Sequence, residues 1–341
     1  ACWLRFARWS ALAHRRFQLM DEERRPPRPG ARPGQRPAPR FGVRPPARGW
    51  TPRPDGPRHW ASKRTIPAQA VALVGPDQEL IAGRHPVEEA FTARREAIKL
   101  LVVPQRRAAL QQVVLHATTL RIPIVEVEGA LIGQLAGFDG HQGIALVVRR
   151  RPEVAPEEIL ARAVSRGEPP FILALDGVED PQNFGSLIRS AEAVGVHGIL
   201  MATRGSAPLS PAAIKASAGA VEHLLVSRVE SLADELTALR LRGIRVVGAE
   251  AEAAQDHRSA DLRGPICLVI GSEGKGLSPA IRRRIDLYVR IPMVGKVASL
   301  NASVAGSILL FEVLGQRPAA AQGVPPTSAA SPLAAGDEEA S

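Results

Sequence analysis

"ICLVIGSEGKGLSP", residues 266–279, joins a six-residue apolar run to a loop with glycine at 271, 274 and 276. A continuous apolar run bounded by glycine reads as a strand buried on both faces, as in a parallel sheet covered by helices. The glycines permit close approach of backbone to a ligand. The loop lacks the Gly-Lys-[Ser/Thr] of a phosphate-binding P-loop and the G-x-G-x-x-G of a dinucleotide site, which disfavours an NTPase or a nucleotide-dependent oxidoreductase. Glu273 stands out within it. Its carboxylate is either free to face a ligand, or is a solvated loop group or helix-cap partner of Lys275.

Working outward, further apolar runs lie at FILALD (171–176), GILMAT (198–203), HLLVSR (223–228), IRVVGAE (244–250) and LYVRI (287–291), with helical segments between most of them. This alternation predicts an α/β domain over 170–316 with a mostly parallel, doubly wound sheet. Ligands on such sheets sit at the carboxyl ends of the strands, which gathers the loops after Asp176, Glu250, Gly271 and Ile291 on one rim. Upstream, residues 78–150 read as a smaller α/β module: a short strand, a turn at Gly83–His85, a helix with Pro86 in its first turn, and further helix and strand segments. Residues 151–169 are charged and flanked by proline, as a linker with a helix would be.

The chain has 341 residues, 45% hydrophobic and 4% aromatic. That suffices for one large domain or two modest ones. Its net charge of +10 is uneven: residues 1–75 hold 16 Lys/Arg against 4 Asp/Glu, while 76–317 hold 28 against 27. The stretch "RRPPRPGARPGQRPAPRFGVRPPARGW" (24–50) has few apolar anchors, so 1–75 is expected to be a disordered Arg/Pro-rich tail. Such a tail either binds phosphates without sequence preference or is a linker with no specific partner. Met20 reads as the native start, with an Arg-rich transit peptide as the rival reading. Residues 317–341, rich in Ala, Pro, Gly and Ser, are expected to be a second disordered tail. Cys2 and Cys267 are the only cysteines, and the eight histidines show no metal-ligand spacing. No disulfide framework or metal is expected, and no apolar run reaches the roughly 18 residues that cross a bilayer. A cytoplasmic protein is expected.

Two more polar loops interrupt the strands. In "LDGVEDPQNFGSLIRSAEAVG" (175–195), Asn183 and Gly185 precede Arg189, read as lying in the first turns of a helix. A cation there faces the positive helix end, so either a phosphate partner or pairing with Glu179 or Asp180 would account for it. In "IPMVGKVASLNASVAG" (291–306), Ser299, Asn301 and Ser303 crowd one helix start. One N-cap does not explain three polar positions there.

Taken together, Asn183, Gly185 and Arg189, then IGSEGKG (270–276), then IPMVGKVASLNAS (291–303), resemble in order and spacing the three motifs of the SpoU (TrmH-like) ribose 2'-O-methyltransferases of the SPOUT superfamily. "KASAGAVEHLLVSRV" (215–229) is similar too, and "IAGRHPVEEAF" and "GHQGIALVV" resemble the N-terminal RNA-binding domain of these enzymes. The nearest subgroup is the RlmB-like one, which methylates a guanosine of large-subunit (23S) rRNA. The resemblance implies a C-terminal deep trefoil knot, a rare exception to unknotted topology. It also implies S-adenosylmethionine as methyl donor without a metal, and a homodimer sharing catalytic groups across its interface. Ala249, where the family commonly has Thr, Gly271, Ile291, Met293 and Leu300 would form the cofactor pocket. Asn183, Arg189, Glu273, Ser299 and Asn301 would be catalytic.

A ribose hydroxyl is a poor nucleophile and needs deprotonation or polarisation. The family assigns this to the motif-one arginine, but arginine stays protonated in proteins. Arg189 is therefore read as a clamp on the target phosphate. Asn183 orients the substrate or Arg189, Glu273 positions Arg189 or the ribose, and Ser299 and Asn301 fix the hydroxyl and cofactor. The proton passes to a phosphate oxygen or to water. A tRNA ribose methyltransferase and a non-catalytic RNA-binding ribosome-assembly factor are the rival readings.

Overall fold

The computed structural model describes residues 73–296 and 299–317. The expectations for the N-terminal tail, the Met20 start and the residues beyond Arg317 fall outside the described residues. The first module comprises β1 (Gln78–Ala82), α1 (Arg84–Thr92), β2 (Ala97–Val102), α2 (Gln111–Thr119), β3 (Ile124–Glu126), α3 (Gly129–Ala136) and β4 (Ile144–Arg149). Its sheet runs β1-β4-β2-β3, with β4 antiparallel to both neighbours. Helix α4 (Pro156–Arg166) occupies the expected linker.

The second module comprises β5 (Phe171–Asp176), α5 (Pro181–Ala193), β6 (Gly198–Ala202), α6 (Pro211–Ala216), β7 (Leu225–Val229), α7 (Leu232–Leu241), β8 (Arg245–Ala249), β9 (Gln255–Asp256), β10 (Ile266–Gly271), α8 (Pro279–Arg282), β11 (Leu287–Arg290) and α9 (Ala302–Gln316). Seven strands run β7-β6-β5-β10-β8-β11-β9, and every pairing is parallel. The α/β architecture is as the apolar runs predict. Alternate residues serve opposite faces of the sheet, as the period of two in a strand requires. Phe171, Leu173, Leu175, Leu268 and Ile270 pack with Phe184, Leu187, Leu309 and Val313, whereas Ile172, Ala174, Cys267 and Val269 pack with Ile159, Leu236 and Leu239.

Three local expectations change. The strand expected from His223 begins at Leu225, because 220–223 is a 3-10 turn whose His223 reaches Glu89 of the first module at 2.9 Å. The expected turn at Gly83–His85 contracts to Gly83 alone, at φ 107°, and α1 starts at Arg84. Arg317, assigned to the tail, is buried at the foot of the sheet. It stacks 4.6 Å over Phe171 and donates to the carbonyls of Pro169, Pro170 and Gly264.

The expected linker also begins inside an interdomain junction. Arg151 donates to Glu79 (3.1 Å) and Glu222 (3.0 Å), and Arg95 donates to the same two carboxylates at 3.0 and 2.9 Å. Glu222, with a fully buried side chain, belongs to the second module, while Glu79 and Arg95 belong to the first. Apolar residues of both modules, including Ile81, Val87, Ile214 and Val221, form one continuous cluster beside it. Burial pushes the Glu79 carboxyl up, but Arg151 and Arg95 outweigh it and hold it below the usual value. A depressed carboxylate contributes stability that is present above its unfolded pKa and lost as pH falls through the folded one.

Removing one partner of a buried ionic cluster strands the other charges. Glu222→Ala is therefore expected to lower stability by about 3–5 kcal/mol. Chemical denaturation at neutral pH checks this.

Candidate active site

The parallel pairing brings the sequence-predicted loops to one rim. Val289 lies opposite Ala249, Val269 opposite Gly248, and Gly271 opposite Asp176, so the chain leaves β5, β10, β8 and β11 side by side. Asp176 then does something its position at a strand end could have suggested. Its Oδ2 accepts from the backbone N–H of Ser278 at 2.6 Å and so ties down the far end of the glycine-rich loop. Within that loop Ser272 and Gly276 exchange two backbone hydrogen bonds, of 3.1 and 2.9 Å, closing a tight turn around Glu273. A Cβ at Gly271 would lie 2.3 Å from the Gly276 carbonyl carbon, so only glycine fits there.

Helix α5 begins with Asp180 as its N-cap, accepting from the N–H groups of Gln182 (2.8 Å) and Asn183 (2.9 Å), with Pro181 at the first helical position. Phe184, Leu187, Ile188 and Ala191 give the apolar stripe that holds the helix on the sheet. Asp180 is thus committed to the cap, and Arg189 pairs with neither it nor Glu179. Arg189 sits in the third turn rather than the first, so the helix-end argument does not apply to it. It is exposed and makes no hydrogen bond or ion pair with the described residues.

Asn301 is the N-cap of helix α9. Its Oδ1 accepts from Ser303 N–H (2.9 Å), Val304 N–H (3.3 Å) and the Ser303 hydroxyl (2.6 Å). Three donors on Oδ1 fix the amide orientation and turn Nδ2 outward, where it donates to Asn183 Oδ1 (2.9 Å) and Glu273 Oε1 (2.7 Å). That in turn orients Asn183, whose own Nδ2 donates to Glu273 Oε1. Asn183, Glu273 and Asn301, separated by up to 118 positions in sequence, therefore form one closed cluster. The expected contact of Glu273 with Arg189 is not made: Glu273 is bonded to the two asparagines, and no ion pair with Lys275 forms either. Ser299 is exposed and makes no hydrogen bond with the described residues.

The five residues expected around a cofactor lie at or just beyond the ends of β8, β10 and β11 or immediately before the α9 cap. Ala249 and Ile291 are half-buried against the core, Gly271 ends β10, and Met293 and Leu300 are exposed at 39% and 37%. Apolar side chains beside strand-end backbone groups suit a nucleoside and an aliphatic chain. Among the described residues no group of three or more His, Cys, Asp or Glu could hold a metal ion. None of the helices among them is long and apolar enough to cross a membrane. Cys267 lies fully buried in β10, and burial raises its thiol above the ordinary range, so it is inert.

The SpoU rRNA Methylase family matches residues 170–311, and the RNA 2'-O ribose methyltransferase substrate-binding family matches 80–154. A Bacillus subtilis protein assigned to the TrmH family of tRNA/rRNA methyltransferases, YacO, is 38% identical over 240 residues, covering 70% of this chain and 96% of its own. An uncharacterised tRNA/rRNA methyltransferase of Mycolicibacterium vanbaalenii is 38% identical over 81% of this chain and 88% of its own. Among solved structures, the SpoU methyltransferase AviRb of Streptomyces viridochromogenes in complex with AdoMet superposes with a TM-score of 0.61 at 27% identity, covering 73% and 96% of the two chains. An AdoMet-bound rRNA methyltransferase of Sinorhizobium meliloti gives 0.56 at 27% identity, covering 70% and 87%.

Asn301→Asp separates the two tasks of this side chain. Aspartate caps a helix as well as asparagine does, but it cannot donate to Glu273 and sets a second carboxylate beside it. Thermal stability is expected to stay within about 1 kcal/mol of wild type, while amide hydrogen exchange across 272–276 accelerates. Unchanged exchange would show that the cluster does not hold the loop.

Proposed function

This chain belongs to the SpoU/TrmH family of RNA methyltransferases, and from that premise we propose that it transfers the methyl group of S-adenosylmethionine to a ribose 2'-hydroxyl of RNA, with a guanosine of large-subunit rRNA as the preferred target. The observation that carries the proposal is the closed Asn183–Glu273–Asn301 cluster on the strand-end rim, with an exposed Arg189 two turns on in α5 and an exposed Ser299 two residues before Asn301.

S-adenosylmethionine, when bound, supplies an electrophilic methyl group. Ala249, Gly271, Ile291, Met293 and Leu300 would hold it. The residues of the chain must hold and polarise the hydroxyl. Arg189 stays cationic and cannot be the base; its planar fork matches a phosphate bidentately. Clamping the target phosphate lowers the cost of charge developing on the adjacent ribose oxygen, and the proton passes to a phosphate oxygen or to water. Oε1 of Glu273 is occupied by two amide donors, whereas Oε2 has no hydrogen bond to the described residues, so it is the oxygen left to orient the ribose. Ser299 supplies a hydroxyl at the same rim. Holding the acceptor in line removes several kcal/mol from the barrier.

The strand order supports a C-terminal knot, because β10 inserts between β5 and β8 after both have been laid down, and the last segment returns to cap α9 on that rim. A homodimer is supported by the outer face of α9, where Val304, Ile308 and Phe311 are 47%, 36% and 52% exposed at helical spacing. A second copy of this chain covers that stripe. An rRNA target and a reducing cytoplasm go with this reading. The tRNA alternative is kept because the relatives are named for both RNAs.

Arg189→Ala is expected to lower methyl transfer by about 10²–10³-fold, while calorimetry finds S-adenosylmethionine affinity unchanged. Wild-type turnover in this variant would sink the clamp. Mapping 2'-O-methyl sites in total RNA with and without the gene should show loss of an rRNA site, and loss confined to tRNA would overturn the preferred substrate. Phe311→Asp is expected to convert a dimer to a monomer in sedimentation at micromolar concentration.

A further inference from the structure

Outside the proposed catalytic cluster, the seam between the two modules carries cations without carboxylate partners. Lys215, half-buried on α6, reaches across the seam to Gln142 Oε1 at 3.5 Å. A Cβ at Gly83 would lie 3.0 Å from its ammonium nitrogen, and one at Gly140 3.4 Å from its Cε. The lysine is therefore held between the start of α1 and the loop 140–143. Gln142, which also accepts from the Arg84 N–H at 3.0 Å, adopts φ 60°. A left-handed conformation at a non-glycine residue is strained, and it is retained here where it brings Gln142 to Lys215. The carboxylate of this loop, Asp139, sits against Gly133 and near His141, and makes no ion pair with Lys215. The stem of Arg106 packs on the same loop: a Cβ at Gly143 would lie 2.6 Å from its Cγ. Its side chain is exposed and has no ion pair among the described residues. Burial, together with the nearby Lys215 charge, holds the His141 imidazole below its usual pKa despite Asp139.

The other side of Lys215 leads to the proposed catalytic helix. A Cβ at Gly185 of α5 would lie 2.4 Å from Ala216 Cβ and 2.6 Å from the Ala213 carbonyl oxygen, so α6 is pressed against α5 there. Arg189 lies one turn beyond Gly185 on the same face of α5. The Glu79–Arg95–Arg151–Glu222 cluster ties the first module to the 3-10 turn 220–223 that follows α6. Arg106, Lys215 and Arg189, none with a carboxylate partner among the described residues, thus form a file of cations from the first module, over the seam, to α5.

We infer that this file is a backbone track for RNA, in which Lys215 contacts a phosphate at the interdomain seam and hands the strand from the first module to Arg189 of the same protomer. The inference rests on the RNA-methyltransferase reading and adds to it a residue and a route. A charge that neutralises a phosphate releases counterions, so its removal changes the salt dependence of binding as well as the affinity. A lysine that only braces the seam would leave the salt dependence alone.

The test uses the full chain and an unmodified 23S rRNA transcript, with a tRNA transcript in parallel, and measures affinity between about 50 and 200 mM salt. For Lys215→Gln, the slope of log affinity against log salt is expected to flatten by about 0.7–1. Lys215→Arg should restore it, and Arg106→Gln should flatten it similarly. Arg283→Gln, an exposed cation after α8 and away from the seam, should leave it unchanged. A wild-type slope in both Lys215→Gln and Arg106→Gln, with wild-type protein binding and methylating RNA, overturns the track but not the enzymatic reading. Equal flattening by Arg283→Gln overturns it as well, since the effect is then one of general charge. If wild type transfers no methyl group and binds neither transcript, the enzymatic reading falls first and the track falls with it. Unaltered thermal melting of each variant excludes unfolding as the cause.

Discussion

One asparagine side chain holds the candidate site together. Asn301 must cap α9, because the first N–H groups of a helix have no partner within it. Its carbonyl oxygen meets that need with three donors, and this leaves the amide nitrogen no choice of direction. The polarity of the helix end is thereby passed on through Asn183 to Glu273. Three loops that leave different strands become one object, and the orientation of each polar group follows from the one before it. The apolar stripe that seats α9 on the sheet, with Leu309, Leu310 and Val313 fully buried, fixes where that helix start can be.

Two devices fix distances on a larger scale. Asp176 pins the glycine-rich loop from the neighbouring strand, so Glu273 is carried by a turn closed at both ends. The buried charge cluster with Arg95 and Arg151 does the same between modules. Two arginines and two carboxylates satisfy each other where none could be buried alone, and the continuous apolar cluster beside them removes room for the modules to swing. A substrate as large as RNA then meets a surface of set span, which is the condition the proposed phosphate track requires.

The legible and illegible parts of this fold divide along a physical line. Runs such as ICLVIG and FILALD are apolar throughout because both sheet faces are covered, so the strands and their parallel class were readable from composition and period. Asn183, Glu273 and Asn301 were each visible as odd polar residues in apolar surroundings. Their partners were not visible. Glu273, read as positioning Arg189 or the ribose, holds two asparagines and makes no ion pair with Arg189, which lies in the third turn of its helix. The junction of Glu79, Arg95, Arg151 and Glu222 gave no local signal, since each residue alone resembles an ordinary surface charge.

By itself, then, the sequence determined the elements, their alternation and the residue types able to do the chemistry, because propensity and hydrophobic period act over a few neighbours. Only the tertiary structure decided which polar groups face one another. The order β5-β10-β8-β11 brings together strand ends up to about 115 residues apart in the chain. No local rule could foresee that the spare hydrogens of a helix cap would end on the carboxylate of a distant loop.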